Sequence, residues 1–296
     1  MEKIKTIDLH SHSYCSDGTF SPEGLVLLAK KQGLAAIALT DHDTTEGLAE
    51  FLFAGEKHNI ETIAGIELGS ACPYFDTPEL HIVGLGIDPN SPILAKQLDL
   101  MIQHRADRNL QMVKQLNAIG LSITLADLTQ NAGGEIITRA HFANVLLKKG
   151  YIRTKDEAFS KYLSPGLPGY VPKTLLSPAA CISSIHLAGG ISILAHPTLY
   201  KLAQDQLDLL CKELSLLGLD GIECFYSTYT PSQRKNMMKL AIKHNLYPSG
   251  GSDFHGENKT HILLGSCKGN LAVPFFVCAD LQEKLTEIIN PCSKYT

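Results

Sequence analysis

The sequence predicts an α/β fold with a parallel arrangement of strands, and three observations carry that expectation. Short apolar runs alternate with amphipathic helical stretches from the N-terminus to about residue 70. The run Ala35-Ala36-Ile37-Ala38-Leu39 is continuously apolar, the pattern of a strand buried on both faces in a parallel sheet. Polar residues recur where these runs end, and parallel α/β folds build their sites at strand C-termini. A chain of 296 residues, 44% hydrophobic and 19% charged, can bury a full core as one α/β domain or as one domain carrying an insertion.

The elements follow in order. Ile4–Leu9 reads as a strand leading into His10-Ser11-His12, with Asp17 just beyond. Alternate strand side chains share a face, so the two imidazoles point the same way and could hold a metal ion together. Ser21-Pro22-Glu23 opens a helix with a serine N-cap and a first-turn proline, and Gly33 closes it. The second strand ends at Thr40-Asp41-His42-Asp43. A helix from Thr44 or Thr45 to about Asn59 precedes a third strand, Ile60–Leu68, with Glu67 at its far end. Leu80–Ile87 reads as a fourth strand with His81 near its start.

The rhythm then changes. Residues 90–172 hold no convincing strand: a long amphipathic helix from Ser91 to about Gly120 is followed by helical stretches over Leu125–Asn131, Ala140–Lys149 and Lys155–Tyr162, and by the turn-rich loop Ser164–Gly169. This segment reads as a helical insertion covering the strand C-termini, dividing the chain into a barrel formed by 1–89 and 173–296 and a small inserted helical domain. Alternation resumes with a helix from Ser177-Pro178 to Gly189-Gly190, the strand Ile191–Ala195 running into His196-Pro197, and a helix over Leu202–Leu217. Next come the strand Gly221–Phe225, a helix from Thr230-Pro231 to His244, and the strand Tyr247–Gly251 ending at Ser252-Asp253-Phe254-His255. A short strand, Ile262–Leu264, and a helix, Asp280–Ile289, close the chain.

Composition narrows the function classes. A formal net charge of -4 argues against an extended basic track for long nucleic acids, though not against a local phosphate pocket. The 8 cysteines lie scattered without CxxC pairs and read as reduced, mostly buried thiols. No apolar run approaches the ~20 residues of a membrane span and no signal-peptide pattern opens the sequence, so a soluble, cytoplasmic protein is expected. Trp is absent, which removes tryptophan stacking platforms.

Gathered together, the strand-end residues are His10, His12, Asp17, His42, Glu67, His81, His196, Asp253 and His255, all of metal-ligand type. Any one has an ordinary explanation, His81 as a core histidine or Asp253 as a turn former. Their recurrence on successive strands does not. His58, His104, His186, His244 and His261 fall on helices or in loops and read as surface or structural groups.

Asp8-Leu9-His10-Ser11-His12 with Ser16-Asp17-Gly18, Thr40-Asp41-His42-Asp43, Gly65-Ile66-Glu67, Ala195-His196-Pro197 and Gly251-Ser252-Asp253-Phe254-His255 resemble the polymerase-and-histidinol-phosphatase (PHP) metal-dependent phosphoesterases over almost the whole chain. The resemblance implies a distorted (β/α)7 barrel holding two or three divalent ions, with Mn, Zn or Fe all suited to mixed imidazole and carboxylate ligands. It implies one ion on His10, His12, Glu67 and Asp253, a second bridged by Glu67 to His81 and His196, and a third on Asp17, His42 and His255. Glu67, His42 and Asp253 would then hold the ions that activate the attacking water.

In the insertion, Thr138-Arg139-Ala140-His141 resembles the R-x-H element of the PHP branch with a helical insertion, implying a bidentate phosphate contact from Arg139 and a hydrogen bond from His141. Arg105, Arg108 and Lys173 are weaker phosphate candidates, and Tyr226 and Phe254 are candidates for stacking on a base. The branch resembled hydrolyses nucleotide phosphates, which implies a phosphomonoester of a nucleotide or a short oligonucleotide as substrate. Histidinol-phosphate phosphatase, a non-catalytic metal-stabilised nucleotide- or RNA-binding module, and an amidohydrolase are the alternatives; the last usually supplies a metal-bridging lysine at a strand end, and none stands there.

Overall fold

The computed structural model describes residues 5–77, 79–132, 136–267 and 273–277. Strands β1 (Thr6–Asp8), β2 (Ala36–Leu39) and β3 (Glu61–Ser70) pair in parallel, separated in sequence by helices α1 (Pro22–Gln32) and α2 (Leu48–His58). Helix α1 starts as its sequence dictates: Ser21 Oγ accepts from Gly24 N–H, Pro22 occupies the first turn, and Gly33 closes the helix at φ +76°. Helix α2 begins at Leu48, later than expected, because Asp43 turns the chain at φ +54° and residues 44–47 pass over the strand end before the helix can start.

Strand β4 (Leu80–Leu85) departs from the parallel expectation. It runs antiparallel to β3 and also to β5 (Ile191–Leu194). The linker 71–79 is too short for a crossover helix, which needs about a dozen residues, so the chain folds straight back. That reversal brings the start of β4, and with it His81, to the end where the parallel strands finish. From β5 the chain again alternates, through α8 (Gln204–Leu216), β6 (Gly221–Tyr226), α9 (Pro231–Lys243) and β7 (Tyr247–Gly251), with β5, β6 and β7 parallel.

The sheet closes on itself. Leu9 N–H donates to Gly250 O at 3.2 Å, Asp253 N–H to His10 O at 2.9 Å and His12 N–H to Phe254 O at 2.9 Å, so β1 and β7 meet and seven strands make a barrel. An additional short strand, β10 (Val273–Pro274), lies antiparallel on β1. The strand expected at Ile262–Leu264 is β8 (Ile262–Leu263), and it pairs with β9 (Ser266–Cys267) as a separate hairpin. The helix expected at Asp280–Ile289 lies outside the described residues.

Between β4 and α7 (Pro178–Leu187) the described residues form α3 (Pro92–Ala118), α4 (Leu125–Thr129), α5 (Arg139–Lys148), α6 (Lys155–Ala158) and a π turn, Phe159–Leu163. Helix α3 is about 40 Å long and serves two cores. Leu94, Leu98 and Met101 pack into the barrel core, whereas Met112 and Leu116 join a second cluster with Phe142, Leu146 and Leu163. Between those halves Arg105, Arg108 and Asn109 are buried polar groups on a helix that otherwise buries apolar ones. No helix among the described residues is long and apolar enough to cross a membrane. Cys15, Cys72, Cys181, Cys211 and Cys224 are free.

Candidate metal centre

The nine strand-end residues converge at one end of the barrel, and Glu67 is their hub. Its Oε1 lies 2.9 Å from His81 Nδ1 and 3.0 Å from His196 Nε2. Its Oε2 lies 3.3 Å from both His10 Nε2 and His12 Nε2, and 3.0 Å from His42 Nδ1. Asp253 Oδ1 approaches His12 Nε2 at 3.3 Å and His10 Nε2 at 3.6 Å. Asp17 Oδ1 approaches His255 Nε2 at 3.2 Å and His42 Nε2 at 3.8 Å.

Among the described residues, potential ligand atoms lie within 4.8 Å of one another in three groups: His10, His12, Glu67 and Asp253; His12, Asp17, His42 and His255; and His42, Glu67 and His81. The first and second contain the sets that the sequence resemblance implied. In the third, His42 stands where His196 was expected, while His196 reaches the hub only through Glu67 Oε1. His42 and His12 therefore each belong to two groups.

Divalent ions fit this donor set. Asp17 Oδ1, Glu67 Oε2, His12 Nδ1 and His196 Nδ1 are buried without a hydrogen-bond partner, an arrangement that costs free energy unless something satisfies those atoms. Clustered imidazoles around carboxylates are the hard-to-borderline donors that divalent transition metals prefer. Two of the nine residues sit in the left-handed region, His196 at φ +30° and Asp253 at φ +57°, and this is backbone strain of the kind held at functional sites.

The electrostatics follow from burial opposed by close partners. Burial pushes the Glu67 and Asp253 carboxyls up, but the surrounding His42, His81 and His10 in one case, and Lys259 and His255 in the other, hold both well below the usual carboxylate range. Burial lowers His10, yet Glu67 and Glu223 raise it well above an ordinary imidazole. His12 and His81 are raised to about 9 against burial, His12 by the carboxylates of Asp253 and Glu67 that accept from its ring, and His81 by the charge of Glu67. For His42 burial wins, and its imidazole is pushed well below the ordinary value.

A ring of residues that the motifs do not announce orients the ligands. Glu223, in the middle of β6 and 2% exposed, receives His10 Nδ1 on Oε1 at 2.8 Å and the His196 backbone N–H on Oε2 at 2.5 Å. Asp8 accepts from Ser252 N–H at 2.8 Å and Ser252 Oγ at 2.6 Å, which pins β1 to the turn carrying Asp253. Asp41 accepts from Ser13 N–H and Ser16 Oγ, and Asp43 pairs with Arg105. Asp253 Oδ2 accepts from Tyr226 Oη and from Lys259 Nζ, each at 2.7 Å. A lone acid inside the apolar strand Gly221–Tyr226 was the sequence signal for Glu223.

A cavity of about 280 Å3 opens over Asp17, His42, His81 and His255, and its walls carry Arg105, Arg108, Arg139, Lys155, Lys173 and Lys259. A second lobe of about 680 Å3 shares Glu79, His81, Arg108, Arg139 and Lys173 with it. Arg139 thus faces both lobes, with its guanidinium 5.6 Å over the Tyr170 ring. Lys173 pairs with Glu79, and its burial lowers the ammonium to about 8. Arg105 and Arg108 are lowered by burial to about 9 and about 10.

His141 lines neither lobe: it is 3% exposed and caps α5, its Nδ1 accepting from Thr138 N–H at 3.1 Å. Tyr226 is buried with its hydroxyl spent on Asp253, and Phe254 packs on Phe20 at 5.5 Å between ring centroids, so neither is free to stack on a base. The aromatic rings that do line the cavity are Phe159 in the smaller lobe and Phe75, Tyr170 and Tyr200 in the larger.

The sequence is similar to known proteins over most of its length. It is 36% identical over 253 residues to the 3′,5′-nucleoside bisphosphate phosphatase of Chromobacterium violaceum, covering 85% of this chain and 88% of the relative. It is 34% identical over 252 residues to the 5′-3′ exoribonuclease Rnm of Escherichia coli, covering 84% of each. The fold superposes on a solved structure of an amidohydrolase from Chromobacterium violaceum with bound sulfate and no metal, at a TM-score of 0.83 and 33% identity over 94% of this chain and 96% of that one. The PHP domain model matches residues 8–290, and the chain belongs to the PHP domain family.

Proposed function

We propose that this chain is a metal-dependent phosphoesterase that removes a phosphate from a nucleotide, such as a 3′,5′-bisphosphate or an AMP-like monophosphate, or from a short oligonucleotide. The observation that carries the reading is the opening of a cation-walled cavity onto the His42, His81 and His255 side of the ligand cluster. The activities named for the similar proteins from Chromobacterium violaceum and Escherichia coli agree with it. Two or three ions, Mn, Zn or Fe, are held by His10, His12, Glu67 and Asp253, by Glu67 with His81 and His196, and by Asp17, His42 and His255; the two groups to which His42 belongs support its place beside Glu67 as well.

Bound divalent ions polarise a phosphoryl group and bring the pKa of water toward neutrality. The chain supplies the rest. Glu67, His42 and Asp253 fix the positions at which water and phosphate meet. Arg139, with Arg105, Arg108 and Lys173 beside it, neutralises phosphate oxygens and orients the substrate. Because the site needs no protein nucleophile, the burial of Cys15, whose thiol is pushed up to about 11, is no obstacle. Residues 90–172 act as a helical cap on a barrel made of 1–89 and 173–296: Arg105, Arg108, Arg139 and Lys155 come from the former and all nine ligands from the latter. A cytoplasmic location belongs to this reading, supported by the free cysteines.

The test is release of inorganic phosphate from adenosine 3′,5′-bisphosphate, AMP and histidinol phosphate with added Mn2+. The nucleotides should be hydrolysed and His42→Ala should abolish the reaction. Full activity in His42→Ala would remove the three-ion reading, and no release from any of the three esters would leave a binding module.

A further inference from the structure

The larger lobe meets the metal cluster at His81 and His196 and extends well beyond it, built there as a binding site. At about 680 Å3 it lies within the roughly 300–1,000 Å3 range of small-molecule pockets. Beyond the shared wall its lining is mostly aromatic and aliphatic, with Phe75, Tyr170, Pro172, Leu199, Tyr200 and Leu202, and Lys201 is the one cation added there among the described residues. Two of these rings are held in place. The Tyr170 ring lies under the Arg139 guanidinium, and Tyr200 donates its hydroxyl proton to Ala195 O at 2.7 Å while accepting from the His81 N–H at 3.0 Å. Leu199 remains 48% exposed on the turn Pro197–Tyr200 that follows His196.

We infer that this aromatic lobe binds the nucleobase of the substrate, with Tyr170 and Leu199 as specificity-determining residues; the inference rests on the proposed nucleotide phosphoesterase reading. A phosphate has no use for such walls, and a base does: it presents a neutral planar face that stacks on tyrosine and excludes water against aliphatic groups, whatever its identity. The shared wall fixes the connection. His81 and Arg139 border both lobes, so one molecule can place a phosphate on the ligand floor and its base in the larger lobe without spanning protein. A phosphorylated sugar, having no planar face, would leave the lobe hydrated and gain nothing from it.

The test compares AMP with ribose 5-phosphate, which lacks only the base, by calorimetric titration of the intact protein. AMP should bind at least about tenfold tighter in the wild type, from base–aromatic stacking. Tyr170→Ala and Leu199→Asp should each cut that ratio severalfold, and Tyr170→Phe should preserve it. Leu199, being exposed on a separate element, keeps the test open if Tyr170→Ala fails to fold. A wild-type ratio within about twofold of one, or a ratio untouched by either variant, overturns the inference. Phosphate release from adenosine 3′,5′-bisphosphate is read in parallel. Its absence with the AMP preference intact sinks the hydrolase reading alone, and its presence without any preference sinks the base lobe alone.

Discussion

Glu223→Gln is the most discriminating perturbation of the metal centre, because it changes one atom of a residue that belongs to no ligand cluster itself. In the native arrangement both carboxylate oxygens accept: Oε1 from His10 Nδ1–H and Oε2 from the His196 N–H, at 2.8 and 2.5 Å. That holds the proton on Nδ1, so when an ion displaces the Nε2 proton the lone pair left there faces the side of Glu67 and Asp253. An amide has one acceptor. If its oxygen keeps the His196 N–H, its NH2 faces Nδ1, the proton moves to Nε2, and the lone pair that a metal needs is lost. If its oxygen keeps His10, the His196 N–H is left buried and unpaired at a cost of about 1–3 kcal/mol, at a residue already strained at φ +30°. Either way the expected loss is about 10–100-fold in affinity for the ions that His10 or His196 hold. Competition against a fluorescent chelator, starting from metal-free protein, measures it directly. Ion binding through Asp17 and His255 should be far less affected, so the variant should lose affinity in part of the stoichiometry rather than in all of it. The metal-free variant should melt within a few degrees of the wild type, since a buried charge has been removed together with a hydrogen bond. Retention of every ion within about threefold of wild-type affinity would refute the positioning role.

Three further outcomes follow from the same geometry. Glu67→Gln removes the charge that five imidazoles surround, and should lower ion occupancy and phosphate release by at least about a hundredfold, as metal analysis and turnover on adenosine 3′,5′-bisphosphate would show. Arg139→Ala should raise KM for the bisphosphate about tenfold or more with a smaller effect on AMP, because a charge-assisted contact to the second phosphate is lost; equal effects on both would place Arg139 elsewhere. The metal-free protein should lose stability as pH rises from about 6.5 to about 9. His12 and His81 carry folded values of about 9 against 6.5 in the free side chain, so their contribution is complete below 6.5 and gone above 9; a melting temperature that climbs across that window would contradict the assignment.

Most of the cluster was legible in the sequence because its residues follow apolar runs, and strand ends are where side chains escape the core; His81, at the start of β4, and Glu67, inside β3, are the exceptions. Other residues were hidden. Glu223 interrupts β6 rather than ending it, and its purpose appears only when His10, which follows β1, and His196, which follows β5, are seen to bond its two oxygens. Tyr170 follows the Ser164–Gly169 loop, where composition predicts a turn and says nothing of what the loop will face. A short R-x-H pattern does not distinguish a phosphate contact from a capping box, and here the His141 imidazole accepts from Thr138 N–H through Nδ1. Tyr226 and Phe254 stand beside the motifs, where sequence position suits base stacking and core packing equally; the structure shows packing, with Tyr226 Oη on Asp253 and Phe254 against Phe20.

His81 shows how a correct residue can be reached through an incomplete fold. In a wholly parallel barrel, a residue at the start of a strand belongs to the opposite end from the site, in the company of Asp220 and Ser192. Those two sit at the starts of β6 and β5 and bind each other and His186, with Ser192 Oγ 3.0 Å and His186 Nε2 2.6 Å from Asp220 Oδ2. Such polar clusters at the strand N-termini of a barrel tie strands together, whereas those at the other end carry chemistry. His81 escapes that assignment only because the linker 71–79 is too short to cross the barrel, so β4 is reversed and its first residues rise beside Glu67. The length of one linker therefore decides whether this histidine is a strut or a ligand.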